Sequence, residues 1–111
     1  MRNLMISAAL LTACGLLAAP RAALAEGDAE AGKVKAYTCT GCHGIPGYNN
    51  VYPTYKVPKL GGQNEQYIVA ALKAYRAGER HHATMELQAR SLSDQDIEDI
   101  AAYFVSLGRD H

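Results

Sequence analysis

The chain has 111 residues, with 11 Lys+Arg against 11 Asp+Glu and a formal net charge of zero. That balance excludes the basic surface of a nucleic-acid-binding protein. No P-loop, dinucleotide fingerprint or Ser/His/Asp order marks it as an enzyme of those classes.

Arg2 and Asn3 form a minimal positive n-region, and Leu4 to Ala19 is almost wholly apolar apart from Ser7 and Thr12. Pro20-Arg21 breaks the run, and Ala23-Leu24-Ala25 is an A-x-A site before acidic Glu26. This predicts a secretory signal peptide over residues 1–25, cleaved after Ala25, and a periplasmic location. Two alternatives stand beside it. The run could persist as a membrane anchor, although it is short and badly flanked for a span. Leu11-Thr12-Ala13-Cys14 also resembles a bacterial lipobox, in which Cys14 would carry the lipid.

Removing 25 residues from 111 leaves residues 26–111, 86 residues in one domain with no membrane span. Arg2 and Arg21 leave with the leader while all 11 acidic residues stay, so the charge falls from zero to −2. A chain this short buries only ~60–65% of its unfolded surface and is marginal unless a cofactor adds to its core. Cleavage also removes Cys14, Met1 and Met5, so Cys39, Cys42 and Met85 are the sulfur-bearing residues that remain.

Glu26 to Thr38 reads as a first helix, with Asp28 as N-cap and Glu30 at the positive end of the dipole. Ala31 and Val34, extended by Ala36 and Tyr37, form its apolar stripe. Gly32 costs ~1 kcal/mol inside a helix relative to Ala, which a close helix–helix approach would explain as well as a tolerated surface site.

Cys39-Thr40-Gly41-Cys42-His43 follows, and C-x-x-C-H is the attachment signature of a c-type haem. Residues i and i+3 share one side of a helical turn, so two thiols can reach the two vinyl groups of one porphyrin. His43 then falls under the iron as proximal ligand. A disulfide, a thioredoxin-like pair or a zinc site are the other uses of such cysteines; no strand-like flank or further ligand set supports them.

Gly44-Ile45-Pro46-Gly47 predicts a turn, and Pro53 and Pro58 argue against regular structure from Tyr48 to Lys59. Tyr48, Tyr52 and Tyr55 in that loop either cover the porphyrin or pack within the loop. Asn64 caps a second helix, Glu65 to Ala77, which Gly78 ends. Its stripe is Ile68, Ala71, Leu72 and Tyr75, with Lys73 and Arg76 expected in solvent. Glu79 to Arg90 is a polar connection with a short helical turn after Met85. Ser93 starts the last helix with a near capping box to Asp96. Ile97, Ile100, Ala101, Phe104 and Leu107 form its buried stripe before Gly108 stops it.

The iron needs an occupant opposite His43. Met85, the one methionine outside the leader, is the candidate distal ligand. A core gap-filling role for Met85 and ligation by His81 or His82 are the alternatives. A thioether is soft and weakly donating, and two filled axial positions suit a one-electron carrier better than a catalyst.

Taken together, C-x-x-C-H-Gly at 39–44, Pro-Lys-Leu-Gly-Gly-Gln at 58–63, Tyr-Arg-x-Gly at 75–78, Leu-Ser-Asp-x-Asp-Ile at 92–97 and Ala-Ala-Tyr-Phe at 101–104 resemble a small bacterial class I cytochrome c. The subgroup that also forms tandem two-haem proteins is most similar, over about residues 27 to 108. The resemblance implies an all-α cytochrome c fold, three to five helices wrapped round one covalently bound haem c. It implies attachment through Cys39 and Cys42, axial ligation by His43 and Met85, and a first and last helix crossing near Gly32 against Tyr103 or its neighbours. It also implies that His43 donates its other ring nitrogen to a loop proline carbonyl, a position Pro46 matches. Two departures stand out: a longer tyrosine-rich insert from Tyr48 to Tyr55, and His81-His82 in place of other polar residues. The function implied is periplasmic one-electron transfer between a donor and an oxidase or reductase, with no catalysis by this chain. A dedicated haem subunit of a periplasmic dehydrogenase is the alternative. The mildly acidic surface suggests a partner with a basic patch or an apolar docking face.

Overall fold

A computed structural model describes residues 26–52 and 54–108. The leader, its cleavage site and Cys14 lie outside the described residues. Five helices and one hairpin follow in order: α1 (Ala29–Lys35), α2 (Tyr37–His43), β1 (Asn49–Val51), β2 (Thr54–Lys56), α3 (Glu65–Ala77), α4 (Ala83–Ala89) and α5 (Asp94–Ser106). The helical class expected from the sequence holds. The hairpin does not follow from it: β1 and β2 pair antiparallel, with Asn49 opposite Lys56 and Val51 opposite Thr54. The tyrosine-rich insert therefore has regular structure where its prolines argued for none.

Helices α1, α3 and α5 begin where side chains can satisfy their first amides. The Asp28 carboxylate accepts from the Glu30 and Ala31 amides, and the Asn64 side chain accepts from the Tyr67 amide. Ser93 and Asp96 form a reciprocal capping box at α5. Gly78, with φ +75°, closes α3 in the left-handed conformation.

The single first helix expected over 26–38 is instead two. Ala36, with ψ 6°, leaves the helical region between α1 and α2 and is fully buried. The apolar stripe shifts accordingly: Val34 and Tyr37 are about three-quarters exposed, and Gly32 and Ala36 face inward. A Cβ at Gly32 would lie 2.5 Å from the Asp99 carbonyl carbon and 2.9 Å from the Tyr103 Cβ. The bare glycine is thus what lets α1 lie directly on α5, against Tyr103 as the resemblance implied.

One buried carboxylate ties that crossing. Asp99 accepts from the Asp28 amide at 2.8 Å, the Lys35 ammonium at 2.6 Å and the Gln95 amide at 2.8 Å. Three partners meet the requirement that a buried charge be paired and hydrogen-bonded. Arg76, expected in solvent, donates to the Leu92 carbonyl at 2.9 Å and pairs with Asp94 at 2.6 Å, holding α3 to the start of α5. Lys73 lies 3.8 Å from Glu98.

Ile97, Ile100, Ala101 and Phe104 of α5 meet Ile68 and Leu72 of α3 and Ala36 in one cluster. Phe104, Ile97 and Ile100 are the largest fully buried side chains among the described residues. Among the described residues three of the nine buried apolar ones are alanines, so the core is too thin to close on itself. The space it leaves is a cavity beside the cluster.

Candidate functional site

The cavity has a volume of about 440 Å³, within the range of small-molecule and cofactor sites. α2 supplies one wall through Cys39, Cys42 and His43. The strand β2 and the loop after it supply Tyr55, Val57, Pro58 and Leu60, α3 supplies Ile68 and Leu72, and α4 supplies Met85. Cys39, Cys42, His43 and Met85 therefore border a single space, although His43 and Met85 stand forty-two positions apart in the sequence.

The two cysteines are free and half-buried. Burial pushes the Cys39 thiol above the ordinary range, with the Thr38 hydroxyl opposing it. Both thiols lie on the same turn of α2, as i and i+3 spacing requires.

His43 Nδ1 lies 2.7 Å from the Pro58 carbonyl oxygen. A carbonyl only accepts, so Nδ1 carries the proton and Nε2 keeps its lone pair. Burial lowers the His43 pKa, with the Pro58 bond opposing the shift, and so favours the neutral ring that a metal requires. The Phe104 ring meets the imidazole edge-on at 6.4 Å and 72°. The partner is Pro58 and not Pro46, the proline expected from the resemblance. Pro46 is exposed beside α2, whereas the hairpin folds the chain back so that the segment after β2 passes His43.

Met85 is half-buried, packs against the core cluster and sits inside α4, not in an irregular stretch ahead of a helical turn. The two histidines diverge. The His81 side chain is 82% exposed and lies 3.6 Å from Glu86. His82 precedes α4, lines the cavity and meets the Tyr55 ring at 4.6 Å and 88°. Its Nδ1 is buried with no hydrogen-bond partner. Among the three tyrosines of the insert, Tyr55 lines the cavity and its hydroxyl lies 3.2 Å from the Thr84 hydroxyl. Tyr52 is 95% exposed, and Tyr48 is half-buried away from the cavity lining.

Several lining residues were not singled out in the sequence. Arg80 donates to the Tyr67 hydroxyl at 3.2 Å and lies over the Tyr75 ring at 4.9 Å. Tyr67 could have been read as part of the α3 stripe, since it stands four residues before Ala71. Lys35, Lys56, Lys59 and Arg80 line the cavity, and no carboxylate does. Mostly apolar walls, two thiols one turn apart and an imidazole whose Nε2 keeps its lone pair fit an apolar macrocycle bearing a metal, and Lys56 and Arg80 on the lining suit its carboxylates.

The cytochrome c family model matches residues 29–108. The chain is 47% identical over 83 residues to cytochrome c-554(548) of Halomonas halodenitrificans, covering 72% of this chain and 96% of that protein. It is 42% identical over 106 residues to cytochrome c4 of Pseudomonas aeruginosa, covering 96% of this chain and 49% of that one. It is 36% identical over 74 residues to a thiosulfate dehydrogenase electron acceptor of Stutzerimonas stutzeri, covering 64% of this chain and 33% of the relative. The chain thus spans nearly all of one relative and half or less of the other two.

Proposed function

The chain belongs to the cytochrome c family, and from that membership we propose an exported one-electron carrier with His43 and Met85 as its axial ligands. At the coarser level it is an electron-transfer c-type cytochrome with covalently bound haem c, related to the group of tandem two-haem cytochromes, and its partners are redox proteins. Haem c supplies a ferric/ferrous couple that changes by one electron.

The residues divide the work of holding that group. Cys39 and Cys42 carry the thioethers and fix one edge of the macrocycle against α2. His43 offers Nε2, its ring held by the Pro58 carbonyl on one side and by Phe104 edge-on. Met85 offers a soft thioether, which favours the ferrous state and raises the potential. With both axial positions taken, oxygen and peroxide find no open site. The apolar walls from Val57, Leu60, Ile68 and Leu72 keep water away and favour the less charged state.

The observation that carries this reading is the His43–Pro58 bond, which leaves Nε2 as the coordinating atom of a residue sharing its cavity with Met85. The test is the optical spectrum of oxidised protein exported with haem attached. The Met–iron charge-transfer band is expected in the wild type and lost in Met85→Ala. A band that survives the substitution overturns Met85 as ligand.

The A-x-A site at residues 23–25 supports export to the periplasm. Among the described residues no helix is long and apolar enough to cross a membrane. N-terminal sequencing of the exported protein is expected to begin at Glu26. A second reading, a haem subunit dedicated to one periplasmic dehydrogenase, draws support from the similarity to a thiosulfate dehydrogenase electron acceptor. Purification from the native periplasm separates the two: a free carrier elutes alone, a dedicated subunit with its dehydrogenase.

A further inference from the structure

Three cations of this domain face carboxylates across its elements: Lys35 pairs with Asp96 and Asp99, Lys73 with Glu98 and Arg76 with Asp94. Arg80 is held differently. Its guanidinium donates to the Tyr67 hydroxyl at 3.2 Å and lies 4.9 Å from the centre of the Tyr75 ring. Both partners are uncharged, and among the described residues no carboxylate pairs with Arg80. Arg80, Tyr67 and Tyr75 all line the cavity.

These contacts aim the guanidinium without using it up. A guanidinium has five N–H donors and no acceptor, and a phenol that accepts from it still has its own O–H to give. Among the described residues the Tyr67 hydroxyl has no other partner. The pair thus offers a cation and two kinds of donor, which is the complement of a carboxylate.

We propose that Arg80 and Tyr67 together hold one carboxylate of the bound haem. The inference rests on the reading that haem fills this cavity. Its chemistry follows from what a haem presents. The two propionates stand on the pyrrole rings that carry no vinyl group. Thioethers on α2 therefore direct the propionates toward walls built by other elements. Tyr67 belongs to α3, and Arg80 to the connection between α3 and α4. Lys35, although it lines the same cavity, is committed to Asp96 and Asp99.

Ferric haem carries one more positive charge than ferrous haem, so a cation at its edge favours the reduced state. Arg80→Gln in the haem-loaded protein is therefore expected to lower the midpoint potential and to shift the propionate bending band in the resonance Raman spectrum. Tyr67→Phe, which removes one donor and no charge, is expected to shift the band with a smaller fall in potential. Arg80→Lys keeps the charge and is expected to return the potential toward wild type. Arg90→Gln removes the same charge from an exposed residue off the cavity lining and is expected to leave potential and band unchanged. All four variants are expected to keep the Met85 charge-transfer band, and Met85→Ala to keep the propionate band, so axial ligation and carboxylate contact are read separately. Inorganic phosphate titrated into the wild type at constant ionic strength is expected to leave the potential unchanged; a shift that Arg80→Gln abolishes would assign the site to an anion from solution and overturn the proposal. Wild-type potential and propionate band in Arg80→Gln overturn it as well.

Discussion

Gly32→Ala tests whether the crossing of α1 on α5 depends on a missing side chain. The added Cβ would stand 2.5 Å from the Asp99 carbonyl carbon, with the carbonyl oxygen nearer still, whereas real Cβ atoms essentially never come within 3.0 Å. The shortfall, 3.0 minus 2.5, is at least 0.5 Å. Backbone atoms of two helices cannot turn aside as a flexible side chain can, so α1 must back away. The bond from the Asp28 amide to Asp99, now 2.8 Å, then stretches to 3.3 Å, beyond the ~3.2 Å of a good N–H···O bond. Overpacking costs ~1–3 kcal/mol, and weakening a bond to a charged group costs up to ~1.5–3 kcal/mol. Better helix propensity returns ~1 kcal/mol. A net loss of about 3 kcal/mol lowers Tm by roughly 12–24 °C in a domain of this size. The assay is urea unfolding of the haem-loaded protein followed by far-UV circular dichroism, with Gly41→Ala in parallel. A Cβ at Gly41, inside α2, meets nothing within 4 Å, so that variant gains the same helix propensity without a clash and is expected to match wild type or exceed it by up to ~1 kcal/mol. If Gly32→Ala matches it, the steric account of the crossing is wrong.

Two further outcomes follow from the same end of the fold. Asp96 is held at about 2, first by the Ser93 amide and then by the Lys35 ammonium, and Asp99 is lowered by the Asp28 amide and then Lys35. A carboxyl whose folded pKa lies below its unfolded value of 3.8 stabilises fully above that value and loses its contribution as pH falls toward 2. Lys35→Met is therefore expected to raise the pH of acid unfolding, read by circular dichroism; an unchanged midpoint would show that the ion pairs contribute nothing. Ser93→Ala breaks the capping box of α5 and is expected to cost about 1 kcal/mol in urea unfolding, while leaving the reduction potential unchanged.

The elements that local chemistry specifies were legible in the residues. α3 runs over the residues read from Asn64, Gly78 and the stripe between them, and α5 begins directly after its Ser93 cap, because a cap is made by residues three positions apart. What distant partners decide was not. Ala36 breaks the first helix because α1 must stay on α5 while α2 turns to the cavity, and nothing near Ala36 in the sequence carries that demand. Nothing beside Asp99 in the sequence sets it apart from the other acids of α5; its burial is set by Asp28 and Lys35, more than sixty residues away. Pro46 was the nearer proline, but the hairpin brings Pro58 to His43 instead. Cys39, Cys42, His43 and Met85, to which chemical type and scarcity pointed, border one cavity. His82 could have been noticed for its place three residues before Met85, yet only the fold separates it from solvent-facing His81.

The bond between the Asp28 amide and Asp99 spans 71 positions. Closing a flexible loop of that length costs roughly 4 kcal/mol in chain entropy, on the logarithmic scale of (3/2)RT ln n, and nothing local offsets it in advance. Synthesis proceeds from the N-terminus, so α1 emerges well before α5, the helix that supports it. Until α5 arrives, α1 has neither the surface that shelters Gly32 nor the carboxylate that pairs Lys35. The thiols of Cys39 and Cys42, which lie between the two helices in the sequence, stay accessible through that interval. Closure of the fold thus waits for α5, and contacts so distant in sequence place this domain among the slower-folding helical proteins.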